Sequence, residues 1–278
     1  MNIQDIVKIL TDSGIEPNEA NIEVRMLIER FADFGVKDII LGKKLDSSKL
    51  EIVKEKAELR AKTRMPIQHI TGFADFMGEK YIVNKNVLIP RDETEILAKK
   101  AIDLINENNL KMALDVGTGS GCIACAIAQN TDCQIIGLDI STEALNIALD
   151  NASRLNLFNK AIFRKSDIFS NVKPGENFDI IVSNPPYIPP KEKENIQKEV
   201  TFDPELALFT KDEKGLEFYE KIIDGAPKIL NKNGYLLFEL GIGQSKDVEN
   251  KMQKAGFTDI EIIKDFAGID RVISGKIK

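Results

Sequence analysis

Residues 112–121 read Met-Ala-Leu-Asp-Val-Gly-Thr-Gly-Ser-Gly, a short apolar run that ends in an acid and a glycine-rich turn. The run is typical of a buried strand, and the residues after Ser120 have the composition of an apolar helix. The turn lacks the Gly-Lys-Ser/Thr of a P-loop, and its third glycine comes one residue too early for Gly-x-Gly-x-x-Gly. Asp115 before the turn disfavours a pyrophosphate and suits a cationic amino group. A plain strand–helix turn remains the alternative.

Strands and helices alternate along the chain that follows this stretch. Helices are predicted after Ser120, Thr142, Gly215 and Gln244, and strands at 112–116, 134–139, 161–164, 179–183, 235–240, 259–264 and 271–274. Such alternation is typical of parallel strands with right-handed crossovers. The predicted fold is therefore an α/β, doubly wound open sheet, which binds ligands at the carboxyl ends of its strands.

The chain before this sheet has a different pattern. Residues 1–74 show helical spacing of apolar side chains, with a predicted stop at Gly35 and a capping box formed by Ser48 and Glu51. Aromatic and polar residues alternate around Gly78, which predicts a β-hairpin. Three parts are expected: a helical domain at 1–74, a hairpin linker at 75–92 and the α/β domain at 93–278.

Composition limits the function classes. The 278 residues carry a formal net charge of −6, and residues 1–74 hold 12 basic and 12 acidic side chains, so nucleic-acid binding is not expected. The sequence contains no membrane-length apolar run and no secretory signal pattern. Three cysteines, Cys122, Cys125 and Cys133, indicate a reduced cytoplasmic compartment. With His69 as the single histidine, no metal site is expected.

Asp139 ends the second predicted strand, 24 residues after Asp115. A carboxylate at that position can accept hydrogen bonds from both hydroxyls of a ribose, although it can also cap the following helix. Together with the glycine turn, it indicates an adenosine-bearing ligand without phosphates. S-adenosylmethionine meets that description.

The segment Ser183-Asn184-Pro185-Pro186-Tyr187 follows the fourth predicted strand. Two prolines stiffen the turn, the Asn184 amide and the Pro185 carbonyl each offer an acceptor oxygen, and Tyr187 offers a flat face for stacking. Two acceptors in a rigid turn suit a planar –NH2 group with two donors. An Asx-Pro turn beside a core aromatic residue is the alternative.

These motifs together resemble a known family, the bacterial peptide chain release factor N(5)-glutamine methyltransferases (HemK/PrmC type). The resemblance extends from about residue 66 to Arg271 and is carried by VLIPRDETE at 87–95, LDVGTGSG at 114–121, LDIS at 138–141, SDIF at 166–169, SNPPYI at 183–188, FDPELAL at 202–208 and ELGIGQ at 239–244. Asp92 departs from the family, which usually has proline there. The resemblance implies a Rossmann-like class I methyltransferase sheet of seven strands, the last antiparallel, with a small N-terminal helical domain joined by the hairpin.

The resemblance also implies an activity and its residues: methylation of the glutamine side chain in the Gly-Gly-Gln motif of release factors by a cytoplasmic, monomeric enzyme that needs no metal. The N-terminal helices would dock the release factor. The implied catalytic residues are Asn184, Pro185 and Tyr187. The implied substrate site adds Pro186 and Arg91. The implied S-adenosylmethionine site comprises Asp115, Gly117, Thr118, Gly119, Ser120, Gly121, Asp139, Ile140, Asp167, Ile168 and Asn184.

Two other functions stay open at this point. A methyltransferase for the exocyclic amine of adenine in nucleic acid would use the same acceptors, although the net negative charge and the neutral N-terminal part disfavour it. A non-catalytic adenosine sensor would not need the Asn-Pro acceptors. Cys122 and Cys125 are expected as buried apolar residues, His69 as a packing or capping residue, and residues 191–199 as a solvated helix or lid.

Overall fold

A computed structural model describes residues 2–35, 37–38, 41 and 43–278. The chain forms two compact units. One comprises Met1–Phe73 with Gln197–Phe202, and the other comprises Ala74–Ile196 with Asp203–Lys278. None of the helices in the described ranges is long and apolar enough to cross a membrane.

The smaller unit is helical. Its helices are α1 (Ile3–Asp12), α2 (Pro17–Ala32), α3 (Ser47–Thr63) and α4 (Ile67–Thr71), and Lys198–Phe202 adds a 3₁₀ turn. The predicted capping box at Ser48 is wrong: Asp46 caps α3 by accepting from the Ser48 backbone N–H at 2.9 Å. The second helix ends at Ala32 rather than at Gly35, because Asp33 adopts the left-handed conformation.

A network of charged side chains lies inside this unit. The Arg60 side chain is 2% exposed, and its Nη2 atom lies 2.9 Å from Oε1 of Glu23. Its Nη1 atom lies 3.2 Å from Oε1 of Glu199, which also pairs with Arg64 at 2.5 Å. The charged segment 191–199 is therefore not one solvated helix. It forms two 3₁₀ turns, and Glu199 in the second is an ion-pair partner.

A hairpin of β1 (Phe73–Phe76) and β2 (Glu79–Ile82) belongs to the larger unit from Ala74 onward. Phe76 and Tyr81 pack edge to face with their ring centroids 5.9 Å apart, and both belong to the core of this unit. The Ile82 backbone N–H donates to Oδ1 of Asn151 at 2.7 Å. The hairpin is thereby packed into the α/β core.

Seven strands of the described chain form one sheet in the order β5-β4-β3-β6-β7-β9-β8. They are β3 (Met112–Val116), β4 (Gln134–Asp139), β5 (Ala161–Lys165), β6 (Phe178–Ser183), β7 (Leu230–Glu239), β8 (Phe257–Lys264) and β9 (Asp270–Ile277). β9 runs antiparallel to both of its neighbours, whereas the pairs from β5 to β7 are parallel. The predicted seven-stranded α/β sheet with an antiparallel last strand is confirmed.

Helices cover both faces of the sheet. They are α5 (Asp92–Asn108), α6 (Cys122–Asn130), α7 (Thr142–Arg154), α8 (Glu205–Leu208), α9 (Glu217–Gly225) and α10 (Ser245–Lys254). One buried cluster holds side chains of α5 and α6, and another holds side chains of α9 and α10. Cys122 and Cys125 lie in the first cluster, which confirms their predicted burial. Apolar runs that are buried on both faces explain why the central strands β3, β4 and β6 are recognisable in the sequence.

Candidate active site at the carboxyl edge of the sheet

A cavity of about 330 Å³ opens where β3, β4 and β6 end. That volume is within the range of small-molecule sites. The predicted site residues that line it are Gly117, Thr118, Gly119, Ser120, Asp139, Ile140, Asp167, Ile168, Asn184, Pro185 and Pro186. The structure thus brings together the glycine turn, the acid after β4 and the Asn-Pro-Pro turn after β6.

The glycine turn is held by the end of β4. The backbone N–H groups of Gly117 and Thr118 both donate to the Leu138 carbonyl, at 2.8 and 2.9 Å. Gly121 has φ +76°, and a Cβ there would lie 3.0 Å from the Ala148 Cβ on α7. Both the positive φ and the close approach of α7 therefore favour glycine at this position. The turn is fixed by backbone contacts before any ligand arrives.

Asp139 lies between two backbone donors. Its Oδ2 accepts from Gly119 N–H at 2.8 Å, and its Oδ1 accepts from Ser141 N–H at 2.9 Å. Ser141, not Asp139, caps α7, because its hydroxyl accepts from Ala144 N–H at 3.1 Å. The helix-cap alternative for Asp139 is therefore wrong. Burial raises the pKa of Asp139, and the backbone donors oppose that shift. Asp139 lines the cavity, and a carboxylate oxygen can accept more than one hydrogen bond, so the group can also accept from a ligand.

Asp115 is placed differently from the other residues of its motif. It is fully buried, and its Oδ2 accepts from the Thr118 hydroxyl at 2.6 Å. Burial raises the pKa of Asp115 to about 7. The carboxyl group lies behind Thr118 and outside the cavity lining. Its predicted contact with a cationic amino group stays a prediction.

Asn184 is oriented by a neighbouring hydroxyl. Its Nδ2 donates to the Thr94 Oγ1 at 3.2 Å, which leaves its Oδ1 as the acceptor for a ligand. The preceding residue, Ser183, is buried and donates to the Val116 carbonyl at 2.7 Å, tying the start of the turn to β3. Pro185 is buried in the cavity wall. The two predicted acceptors therefore lie on one rigid turn.

Besides Asp115, three predicted site residues lie outside the described lining: Gly121, Tyr187 and Arg91. The Tyr187 hydroxyl points to Oε1 of Glu239 at 3.4 Å, and its carbonyl accepts from the Gln244 side chain at 2.9 Å. Burial raises the pKa of Tyr187. Arg91 pairs with Asp203. The predicted stacking by Tyr187 and substrate contact by Arg91 stay predictions.

Several residues at this site had no role predicted from the sequence. Thr94 lines the cavity and donates to Oε2 of Glu239 at 2.6 Å. Thr94 and Glu239 both stand in motifs quoted above. Thr94 is 90 residues from Asn184 and 145 residues from Glu239 in the chain, so local spacing does not predict these contacts. A second missed group forms a wall from the chain after Asp203: Pro204, Leu206, Ala207, Phe209, Lys211, Glu217, Phe218, Lys221 and Ile222.

Comparisons with known proteins agree with this geometry. A family model described as a methyltransferase domain matches residues 107–266. A release factor glutamine methyltransferase of Geobacter sulfurreducens is 37% identical, over 96% of this chain and 93% of its own. One of Fusobacterium nucleatum is 39% identical over 81% of this chain, which spans 63% of that relative. A T. thermophilus 16S rRNA N2 G1207 methyltransferase, solved with AdoMet and guanosine, has a TM-score of 0.53 at 16% identity, covering 74% of this chain and 50% of that one.

The rRNA enzyme is similar in fold alone, whereas the two release factor enzymes are similar in sequence over most of the present chain. The chain is 37–39% identical to these two enzymes and matches the methyltransferase domain model. Its cavity is lined by residues of the motifs quoted above. This chain belongs to the family of release factor glutamine methyltransferases.

Proposed function

We propose that this chain transfers a methyl group from S-adenosylmethionine to the side-chain amide nitrogen of the glutamine in the Gly-Gly-Gln motif of peptide chain release factors. One observation carries the proposal: Asn184 and Pro185 line the same cavity as Asp139 and the glycine turn. Acceptors for a planar –NH2 group therefore lie beside the groups that suit an adenosine ligand.

The residues present fit S-adenosylmethionine. Asp139 keeps lone pairs for the ribose hydroxyls, and Ile140, which is 45% exposed, offers an apolar surface beside it for the adenine ring. Gly117 and Gly119 bring backbone close to the ligand. When bound, the cofactor supplies a methyl group on a positively charged sulfur.

The chain's own contribution to the transfer is to position and polarise the amide. A glutamine amide nitrogen is a weak nucleophile because its lone pair is delocalised into the carbonyl. Asn184 Oδ1 and the Pro185 carbonyl would accept its two N–H groups, hold the nitrogen in line with the methyl group and stabilise the positive charge that develops on it. The excess proton leaves to water after transfer, so this chain need not provide a general base.

The substrate and partner follow from the family. Its members named above are release factor glutamine methyltransferases, and release factors are the corresponding protein partner for this chain. We assign docking of the release factor to the helical unit, expect a monomer that acts in the cytoplasm, and expect no direct nucleic-acid contact. The neutral charge of residues 1–74 supports a protein rather than a nucleic acid as the docked partner.

The test is a methyl-transfer assay with radiolabelled S-adenosylmethionine and three acceptors in parallel. These are a release factor, the same factor with its motif glutamine changed to alanine, and DNA. Label on the intact factor alone supports the proposal. Label on DNA, or equal label on the alanine variant, would overturn it in favour of a base-amine methyltransferase or a different target side chain.

A further inference from the structure

We propose that Glu239 acts through Thr94 as a positioning residue that keeps the Asn184 side-chain oxygen turned toward the substrate amide; this rests on the function proposed above. Glu239 is the last residue of β7 and is 2% exposed. Its Oε2 accepts from the Thr94 hydroxyl at 2.6 Å, and Thr94 Oγ1 accepts from Asn184 Nδ2 at 3.2 Å. The three side chains form one line of hydrogen bonds, from Glu239 at the end of β7 through Thr94 to Asn184 at the cavity.

Counting protons along this line determines which way the amide faces. An ionised carboxylate can only accept hydrogen bonds, so Thr94 must give its single hydroxyl proton to Glu239. The Thr94 oxygen can then only accept, and the group of Asn184 that can donate to it is the –NH2. The amide oxygen is left for the substrate. Without this line, an Asn side chain can rotate by half a turn and present its –NH2 to a substrate –NH2, which is a repulsive pairing.

The ionisation state of Glu239 therefore controls the site. A protonated Glu239 can donate to Thr94, which frees the Thr94 proton to face Asn184 and reverses the amide. Burial raises the pKa of Glu239 to about 7. Glu93 at the start of α5 also raises it, whereas the hydrogen bonds from Thr94 and Tyr187 and the charge of Arg271 on β9 lower it. From α9, Tyr219 donates to the Glu239 backbone carbonyl at 2.9 Å, and the charge of the Glu239 carboxylate contributes to the raised pKa of the Cys122 thiol at the start of α6.

The experiment compares Thr94→Val with Thr94→Ser. Valine has nearly the same shape but cannot relay a hydrogen bond, whereas serine keeps the hydroxyl. With saturating cofactor, we expect Thr94→Val to slow methyl transfer by ~10²-fold, the cost of a misplaced reacting group. Cofactor affinity should be unchanged, and Thr94→Ser should recover most of the rate. In wild type, transfer should rise with pH through about 7, and Glu239→Gln should abolish that rise.

A second measurement does not depend on activity. The side-chain ¹⁵NH₂ signals of Asn184, assigned by their loss in Asn184→Ala, should titrate near pH 7 in wild type and not in Thr94→Val or Glu239→Gln. If wild type labels no release factor but these signals titrate as expected, the proposed substrate is wrong and the positioning role stands. Wild-type transfer rates in Thr94→Val, or an unchanged titration in Glu239→Gln, would overturn the positioning role.

Discussion

Nη2 of Arg91 lies 2.6 Å from Oδ2 of Asp203, whose side chain is fully buried. The same carboxyl group accepts from the Ile89 backbone N–H at 3.4 Å. Asp203 immediately precedes Pro204, the first residue of the cavity wall formed by the chain after Asp203. This ion pair therefore anchors the start of that wall to the chain that enters α5.

Replacing Arg91 by alanine should lower the free energy of unfolding by about 1.5–3 kcal/mol, because a buried carboxylate loses a charged hydrogen-bond donor. Urea unfolding measures this. Lys193→Ala is the matched control, since Lys193 pairs with Glu205 at 2.5 Å with both side chains exposed, and it should cost under about 1 kcal/mol. Adding Asp203→Asn to Arg91→Ala should restore part of the loss. If Arg91→Ala and Lys193→Ala lowered the free energy of unfolding by equal amounts, this role for Asp203 would be contradicted.

Asp139→Ala should weaken S-adenosylmethionine binding by about 1.5–3 kcal/mol, the range for a hydrogen bond to a charged group. The substitution also removes the acceptor for Gly119 N–H, so part of the loss comes from a looser glycine turn. Titration calorimetry gives the affinity directly. Glu143→Ala, on the first turn of α7, is the control for a general change in charge and should bind normally. Unchanged affinity in Asp139→Ala would remove Asp139 from the cofactor site.

Asn184→Ala should slow methyl transfer by ~10²–10³-fold while the protein stays folded, since it removes one preorganised acceptor and little buried volume. Single-turnover transfer at saturating cofactor, with thermal melts, separates rate from folding. Tyr187→Phe keeps the ring and loses only the 3.4 Å contact with Glu239, so it should be mild, whereas Tyr187→Ala should be severe. A folded Asn184→Ala that binds cofactor and transfers at the wild-type rate would refute the amide-holding mechanism.

Sequence patterns were most informative where a contact is local or a strand is buried on both faces. Strands β3 and β4 were predicted with their observed bounds because each is a compact apolar run. The start of β7 at Leu230 was missed by five residues. Its first part, Leu230–Gly234, is polar, and its register with β6 shifts between Phe178 and Ile180. Polar residues at an irregular sheet end carry little periodic signal.

Contacts between distant parts of the chain could not be predicted from local sequence patterns. The pairing of Arg60 with Glu199 spans 139 residues, and it places residues 197–202 with the helical unit although they follow the Asn-Pro-Pro turn. Likewise, the sequence identified Asn184 by its proline neighbours, and Thr94 and Glu239 stand in family motifs, but no pattern showed that the three side chains are connected. Their role arises only when the ends of α5, β6 and β7 meet, which no local spacing encodes.

Gly215→Ala should destabilise the protein by about 3 kcal/mol or more and slow transfer. A Cβ at this position would lie 2.1 Å from the Tyr187 carbonyl oxygen and 2.5 Å from Nε2 of Gln244, the pair that holds the Asn-Pro-Pro turn from behind. Gly175→Ala is the matched control. Its φ of +83° resembles the +73° of Gly215, but its Cβ would meet no atom within 4 Å, so it should cost only the left-handed strain of about 1–2 kcal/mol. Similar melting temperatures for the two variants would contradict the clash.

Asp115 and Glu239 together should make stability depend on pH. Burial raises the pKa of each to about 7, from ordinary values of 3.8 for Asp115 and 4.5 for Glu239. Between those values the folded protein holds protons that the unfolded chain has released. The contribution of each group to the free energy of unfolding is therefore present below about pH 4, falls as pH rises to about 7, and is constant above that. The fall is about 4 kcal/mol for Asp115 and about 3 kcal/mol for Glu239, at 1.36 kcal/mol per pKa unit.

Urea unfolding of wild type and Glu239→Gln between pH 4.5 and 8.5 tests this dependence. The variant should lose part of the decline and be more stable than wild type at pH 8, because glutamine occupies the buried position without a charge. Glu176→Gln is the control with the opposite sign. Its pairing with Arg164 lowers the pKa of Glu176 to about 2, so its contribution is lost only as pH falls below about 4.5, outside the measured range. Its curve should run parallel to that of wild type. A wild-type stability that stays constant from pH 5 to pH 7 would show that both buried carboxyl groups ionise at their ordinary values, and the pH control proposed for Asn184 would fail with it.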